Sequence, residues 1–193
     1  MRSKYSIGVA ALMCLIPSLV QAHPSIGASG GWAQGLIHPL TGLDHIAAML
    51  AVGLWALQFE GKARFVLPLT FIGVLALGGL VGTADRALPW VEQGILLSVL
   101  LPGLFLATTL RPPVVVSASL IAMFAFCHGQ AHGAEAPLGI ATGFYAGGFI
   151  LTSSLLVLGG AVLGLAWKNN PQPQMVRFAG GVMTVIALGI FFV

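Results

Sequence analysis

Long runs of apolar residues, separated by short polar loops, dominate the chain. An α-helix needs about 20 apolar residues to cross the hydrocarbon core of a bilayer. Six runs are close to that length or longer, and they predict an all-α membrane protein whose residues 37–193 form a six-transmembrane-helix bundle. The approximate bounds of the predicted spans are 37–57, 65–84, 90–110, 114–132, 138–166 and 175–193.

The amino-acid composition is not that of a water-soluble globular protein. Of the 193 residues, 58% are hydrophobic and only 7% are charged, whereas soluble domains carry roughly 25% charged residues. Eight Lys and Arg residues stand against five Asp and Glu residues. Because the basic residues are few and scattered between apolar runs, the composition predicts the lipid bilayer as a partner and no nucleic acid.

The start of the chain has the features of a secretory signal peptide. Two basic residues precede an apolar stretch at 7–20, and Val-Gln-Ala at 20–22 fits the small-x-small cleavage rule. We therefore predict that residues 1–22 are a cleaved signal peptide. Residues 23–36, rich in Ser and Gly, are then a flexible periplasmic N-terminal arm. An uncleaved first helix is the alternative interpretation, and it gives the same orientation.

Basic residues between the spans predict the orientation of the bundle. The loops after the first, third and fifth spans, together with the start of the sixth, carry five basic residues, whereas the loops after the second and fourth carry one. The positive-inside rule places the larger set in the cytoplasm. All five histidines and four of the five acids then lie near the outer face. The negative charge of the acids attracts cations to that face. The cytoplasmic bases are Lys62, Arg64, Arg111, Lys168 and Arg177, the outer base is Arg86, and the outer acids are Asp44, Asp85, Glu92 and Glu135.

The first of two histidine motifs is the run HPLTGLDH, which begins at His38 at the start of the first span. Pro39 suits the first position of a helix, where its missing N–H is tolerated. A continuous helix would place His45 about 10 Å deeper than His38 on the same face. Asp44 can ligate a metal or orient an imidazole from behind. Met49, one turn beyond His45, is a candidate further along an ion pathway, with core packing as the alternative.

The second motif is the run HGQAHGAE at the end of the fourth span. His128 and His132 are four residues apart and share a helix face, and Glu135 follows within a turn. Imidazole and carboxylate ligands suit divalent first-row metals, and ionisable groups in a membrane indicate a functional site. His23 would begin the mature chain and can add its imidazole and free amine, while Glu92 is a second pathway candidate. Structural histidines that only make hydrogen bonds are the alternative.

These motifs resemble those of a known family. The run HPLTGLDHIAAMLAVG at 38–53 resembles the signature of the HupE/UreJ family of nickel/cobalt permeases, and the second motif resembles that family's other histidine-rich stretch. The resemblance covers essentially the whole chain. It implies a secondary, ATP-independent permease, not an enzyme, that imports Ni²⁺ and/or Co²⁺ across the bacterial inner membrane as substrate rather than as a retained cofactor. The implied metal residues are His38, Asp44, His45, His128, His132 and Glu135.

The partners of such a permease follow from how the ion is driven inward. The sequence has no Gly-x4-Gly-Lys-Ser/Thr nucleotide-binding run, so import would depend on the membrane potential or on trapping of the ion by a cytoplasmic metallochaperone.

Gly139, Gly143 and Gly147 in the fifth span are four residues apart. Such small-residue faces serve tight helix packing, and contacts between copies in a homo-oligomer are the alternative use.

Two other functions use the same residues. An intramembrane zinc-dependent hydrolase could hold Zn²⁺ and an activated water with the His/carboxylate cluster, but the sequence offers no additional general base deeper in the bundle. A membrane cytochrome could bind haem between His45 and His128, but the adjacent acids argue against it. Metal retained through purification would indicate the hydrolase, and a Soret band would indicate the cytochrome.

Overall fold

The structure is a computed structural model that describes residues 31–84, 88–136, 140–169 and 173–192. In these residues the regular secondary structure consists of seven α-helices and two short 3₁₀ turns, at His38–Leu40 and Gly61–Phe65. The predicted signal peptide and His23 lie outside the described residues and stay predictions. The α-helices are α1 Gly31–Ile37, α2 Leu43–Ala56, α3 Val66–Ala84, α4 Val91–Thr108, α5 Val114–Ala134, α6 Ile140–Asn169 and α7 Pro173–Phe191.

The long helices account for most of the predicted membrane spans. Five helical segments in the described residues are long and apolar enough to cross a membrane, and there are six crossings if α1 and α2 together form one bent span. This confirms an all-α, multi-pass architecture with five or six spans in the part of the chain that is described. The apolar runs become helices because lipid cannot hydrogen-bond the backbone, so each N–H and C=O needs a partner within its own segment.

The first predicted span is broken rather than continuous. Its two helical parts, Gly31–Leu40 and Leu43–Ala56, are bent by 77° relative to each other. Gly42 lies at the break with an extended backbone (φ −107°, ψ 128°), which interrupts the helical dihedral angles. The prediction that Pro39 starts the membrane helix is wrong, because Pro39 belongs to the 3₁₀ turn and α2 begins four residues later.

Helix α1 packs against α6, so the prediction of a flexible arm is wrong for residues 31–36. A Cβ added at Gly35 of α1 would overlap the backbone carbonyl of Tyr145, and one added at Gly148 of α6 would overlap the carbonyl of Trp32. Because both positions are glycine, the two backbones touch. Close backbone packing of this kind drives helix association in a membrane, and it ties α1 to the bundle.

Glycines also set two long helix pairs, α3 with α5 and α2 with α6. A Cβ at Gly129 of α5 would overlap the Leu75 carbonyl of α3, and a Cβ at Gly53 of α2 would overlap the Val157 carbonyl of α6. Helices α4 and α7 form a third extensively packed pair. The pairs α2–α6 and α3–α5 matter for function, because each carries one of the two histidine motifs.

The core between these pairs is apolar, and the outer faces of the helices are apolar as well. Trp55, Phe71 and Phe124 are almost completely buried in the core, whereas Leu69 and Phe178 are each 72% exposed. Large exposed apolar side chains fit helices whose outward faces meet lipid rather than water. The two histidine motifs therefore stand out against a background with little other polar chemistry.

Candidate metal centre

Three elements bring the predicted ligands together at one end of the bundle, which we call the histidine end. His38 lies in the 3₁₀ turn, His45 in the first turn of α2 and His132 in the last turn of α5. The ring of His132 has its centroid 4.6 Å from that of His38 and 4.5 Å from that of His45. Because α2 begins where α5 ends, side chains from the first and fourth predicted spans meet there.

His38, His132 and Glu135 form the outermost part of the cluster. The Glu135 Oε2 atom lies 3.5 Å from Nε2 of His38 and 3.6 Å from Nδ1 of His132. One ligand atom from each of the three residues lies within 4.8 Å of the other two. Two imidazole nitrogens and one carboxylate oxygen at this separation can close around a single divalent ion with small side-chain movements.

His45 connects this group to a second carboxylate. Its Nδ1 lies 2.7 Å from Oδ1 of Asp44, which accepts the Nδ1 proton. The hydrogen bond leaves the lone pair on Nε2 of His45, and this atom lies directly against Nε2 of His132. A carboxylate that orients an imidazole in this way is typical of the support behind metal-binding histidines. The geometry therefore favours the orienting role of Asp44 over direct ligation.

His128 lies deeper than the other three histidines and is held differently. It is fully buried, and its Nδ1 donates a hydrogen bond to the Phe124 carbonyl at 3.0 Å. Its Nε2 has no hydrogen-bond partner among the described residues. The ring centroids of His128 and His45 are 5.2 Å apart. His128 thus offers one unoccupied lone pair on the inner side of the cluster.

The exposure of the cluster falls steadily from its mouth to its interior. The side chain of Glu135 is 51% exposed, that of His38 20%, that of His45 12% and that of His132 6%, and His128 is fully buried. Carboxylate oxygens are at the exposed side, and imidazole nitrogens continue inward. An ion that enters from solvent would therefore meet ligands in an order that leads into the bundle.

Two aromatic side chains of helix α6 also line the cluster, and the sequence motifs did not predict them. The Phe149 ring lies 4.6 Å from the His132 ring, and the Tyr145 ring lies 5.8 Å from the His38 ring. Tyr145 is 2% exposed, and its hydroxyl has no hydrogen-bond partner among the described residues. The four-residue spacing of two aromatic residues was the available signal, but in an apolar helix that spacing more often indicates ordinary packing.

The remaining predicted residues lie apart from the cluster of ligand atoms. Met49 is completely buried on α2, one turn deeper than His45. Glu92 is in the first turn of α4, is exposed, and is not one of the three residues whose ligand atoms converge. Asp85 and Arg86 lie outside the described residues. The individual roles of all these residues stay predictions.

The sequence is similar to known proteins along nearly its whole length. The family described as HupE / UreJ protein matches residues 11–190. Protein HupE of Rhizobium leguminosarum bv. viciae is 41% identical over 184 residues, which cover 95% of this chain and 94% of the relative. No solved structure matches the chain. The family match agrees with the resemblance of the two histidine motifs.

Proposed function

This chain belongs to the HupE/UreJ family, a family of nickel/cobalt permeases, and we propose that it imports Ni²⁺ and/or Co²⁺ across the bacterial inner membrane without hydrolysing ATP. Members of this family are transporters and not enzymes, so the zinc hydrolase interpretation is set aside. The ion would bind at the periplasmic ends of the first and fourth mature spans. It is the substrate of the protein and not a retained cofactor.

The convergence of His38, His132 and Glu135 is the single observation that carries this proposal. Their ligand atoms lie within 4.8 Å of one another, although they come from segments separated by more than two helices. Burying polar groups such as those of His132 and the neighbouring His128 in a membrane protein is costly unless they gain a partner. A cation that the cluster binds offsets this cost.

The distribution of charge supports a periplasmic position for the cluster. Lys62 and Arg64 lie in the 3₁₀ turn that follows α2, at the opposite end of that helix from His45. Arg177, in the first turns of α7, donates a hydrogen bond to the Ala107 carbonyl near the end of α4. With these basic residues in the cytoplasm, the histidine end faces the periplasm.

The membrane potential supplies enough free energy for import of a divalent cation. A potential of about 100 mV, negative inside, favours inward movement of two charges by ~4.6 kcal/mol. That is equivalent to a concentration ratio of roughly 10³. A cytoplasmic metallochaperone that sequesters the ion would add to this gradient, and neither source of free energy requires a nucleotide site on this chain.

Influx of Ni²⁺ or Co²⁺ into proteoliposomes with an imposed potential tests the proposal directly. We expect saturable influx with the unaltered protein and its loss in both His45→Ala and His132→Ala, because these residues come from the two different spans. The exposed acids provide a matched pair: Glu135→Gln should reduce influx strongly, and Glu60→Gln should leave it unchanged. No influx by the folded, unaltered protein above that of empty liposomes would refute the proposal.

The proposed site also predicts a dependence of metal binding on pH. Imidazole binds metal only in its neutral form, so protons compete with the ion. Affinity for Ni²⁺ should therefore fall as the pH of the solution is lowered from about 7.5 to about 5.5, across the range in which histidine ordinarily titrates. Equilibrium binding to the detergent-solubilised protein at the two pH values measures this. Equal affinity at both would contradict competition between protons and the ion in this pH range.

A further inference from the structure

His38 belongs to the same helical segment as α1 and not to α2, which carries His45. The segment Gly31–Leu40 is helical throughout, with Ile37 in the right-handed α region (φ −80°, ψ −33°) where α1 passes into the 3₁₀ turn. The extended backbone of Gly42 then separates this segment from α2. Because a helix transmits a displacement only where it is continuous, the place of His38 in the cluster depends on what holds α1.

Helix α6 holds α1 by close contact between the two backbones. The contact occurs where glycine is present on both helices, at Gly35 of α1 and at Gly148 of α6. Close backbone contact sets how near the two helices lie to each other. A hydrogen bond is directional, so a hydrogen bond between the helices would also fix how far α1 is displaced along α6 and how it is rotated.

Thr152 of α6 makes such a hydrogen bond to α1. Its hydroxyl donates to the Leu36 carbonyl at 2.9 Å, and Thr152 is buried. Leu36 is two residues before His38 on the same helical segment. The last carbonyls of a helix have no intrahelical partner, and Pro39, three residues after Leu36, has no N–H to donate. Thr152 thus binds the backbone of α1 close to the residue that enters the metal cluster.

Two comparable hydroxyl side chains in the bundle bond within their own helices instead. The Ser154 hydroxyl donates to the carbonyl four residues earlier in α6 at 2.7 Å, and the Thr184 hydroxyl does the same in α7 at 2.9 Å. This local bond is the usual one for Ser and Thr inside a helix. The Thr152 hydroxyl instead bonds to a different helix, and it does so where the segment that carries His38 is attached.

We propose that Thr152 is a positioning residue for the metal site, and that its hydrogen bond to α1 keeps His38 against the other ligands. The His38 ring is 4.6 Å from the His132 ring, and its Nε2 is 3.5 Å from Oε2 of Glu135. Without the hydrogen bond α1 can shift on α6, and His38 is then in place in a smaller fraction of molecules. The apparent affinity for the ion falls in proportion to that fraction. This inference rests on the proposed metal transport.

Equilibrium binding of Ni²⁺ to the detergent-solubilised protein tests this role. Thr152→Val keeps the branched shape of the side chain and removes the donor. We expect it to weaken Ni²⁺ binding about fivefold to tenfold, the equivalent of one hydrogen bond. Thr152→Ser keeps the hydroxyl and should recover most of the affinity. Thr184→Val is the matched control, because it removes a hydroxyl that bonds within α7, and it should bind like the unaltered protein.

A double-mutant cycle with His38→Ala distinguishes positioning from general damage to the fold. The remaining ligands, His45, His132 and Glu135, should keep binding measurable in that background. If Thr152 acts through His38, Thr152→Val should cause no further loss of affinity in protein that already lacks this imidazole. A loss of the same size in both backgrounds would overturn the proposal, and so would unchanged affinity in Thr152→Val alone or no recovery in Thr152→Ser. Absence of saturable Ni²⁺ binding by the folded, unaltered protein would instead refute the proposed function, and this inference with it.

Discussion

The first histidine motif lies across a break in its helix, whereas the second lies along one continuous helix. His38 and His45 belong to segments that are bent by 77° relative to each other, while His128 and His132 belong to the unbroken helix α5. The four-residue spacing of the second motif therefore predicts its geometry correctly. The seven-residue spacing of the first does not, because helical periodicity holds only where the helix continues.

The break changes what the first motif can reach. A straight helix would separate His38 from His45 by about 10 Å along its axis, but their ring centroids are 6.3 Å apart and both rings contact His132. The continuous helix instead spreads its histidines over two depths. His132 meets the other ligands, and His128 is held deeper by the Phe124 carbonyl. The first motif folds around the proposed ion position, and the second extends from that position into the bundle.

Rigid packing of the continuous motif gives the first and largest predicted effect. Gly129 of α5 contacts the Leu75 backbone of α3, and a backbone carbonyl cannot move aside as a side chain can. We expect Gly129→Leu to reduce the free energy of unfolding by more than about 3 kcal/mol. Denaturant unfolding in micelles measures this. Gly73→Leu is the control, because Gly73 faces open space, and equal stability of the two variants would contradict the rigid contact.

The orienting carboxylate of the broken motif gives the next effect. Asp44 accepts the His45 Nδ1 proton at 2.7 Å, and loss of such support typically weakens metal binding about 10–100-fold. We expect this loss of Ni²⁺ affinity in Asp44→Asn, with normal unfolding. Glu60→Gln, at an exposed acid away from the cluster, should bind like the unaltered protein. Unchanged affinity in Asp44→Asn would show that Asp44 does not orient His45.

Gly42, at the break before α2, gives the smallest predicted effect on Ni²⁺ affinity. A Cβ at Gly42 would meet Oδ1 of Asp44 and Nδ1 of His45, which are ends of side chains that can rotate away. We therefore expect Gly42→Ala to fold normally but to weaken Ni²⁺ affinity about threefold to tenfold, as it disturbs one hydrogen bond. Equilibrium binding measures it, with Gly181→Ala in open space as the control. A loss larger than that in Asp44→Asn would indicate that the bend, and not the Asp44–His45 pair, controls the site.

Much of the architecture could be predicted from the sequence, because insertion of a helix into a membrane depends on its own residues. The apolar run at 114–132 became α5, Val114–Ala134, almost as predicted. The residue types of the candidate site were also visible, since His38, His132 and Glu135 are rare polar residues in an apolar chain. Their identities and their spacing also carried the family resemblance, which the comparisons confirm.

Only the tertiary structure decided which groups meet. Hydropathy is summed over one segment of the chain. His45 and His132 are 87 residues apart in the sequence, so their contact depends on how the whole bundle packs. Tyr145 and Phe149 join the cluster because α6 lies beside α2, and no local pattern encodes that neighbour. The same holds for Thr152, whose sequence neighbours Ser153 and Ser154 look equivalent to it. Burial and hydrogen bonding distinguish the three, and both properties are set by the surrounding helices.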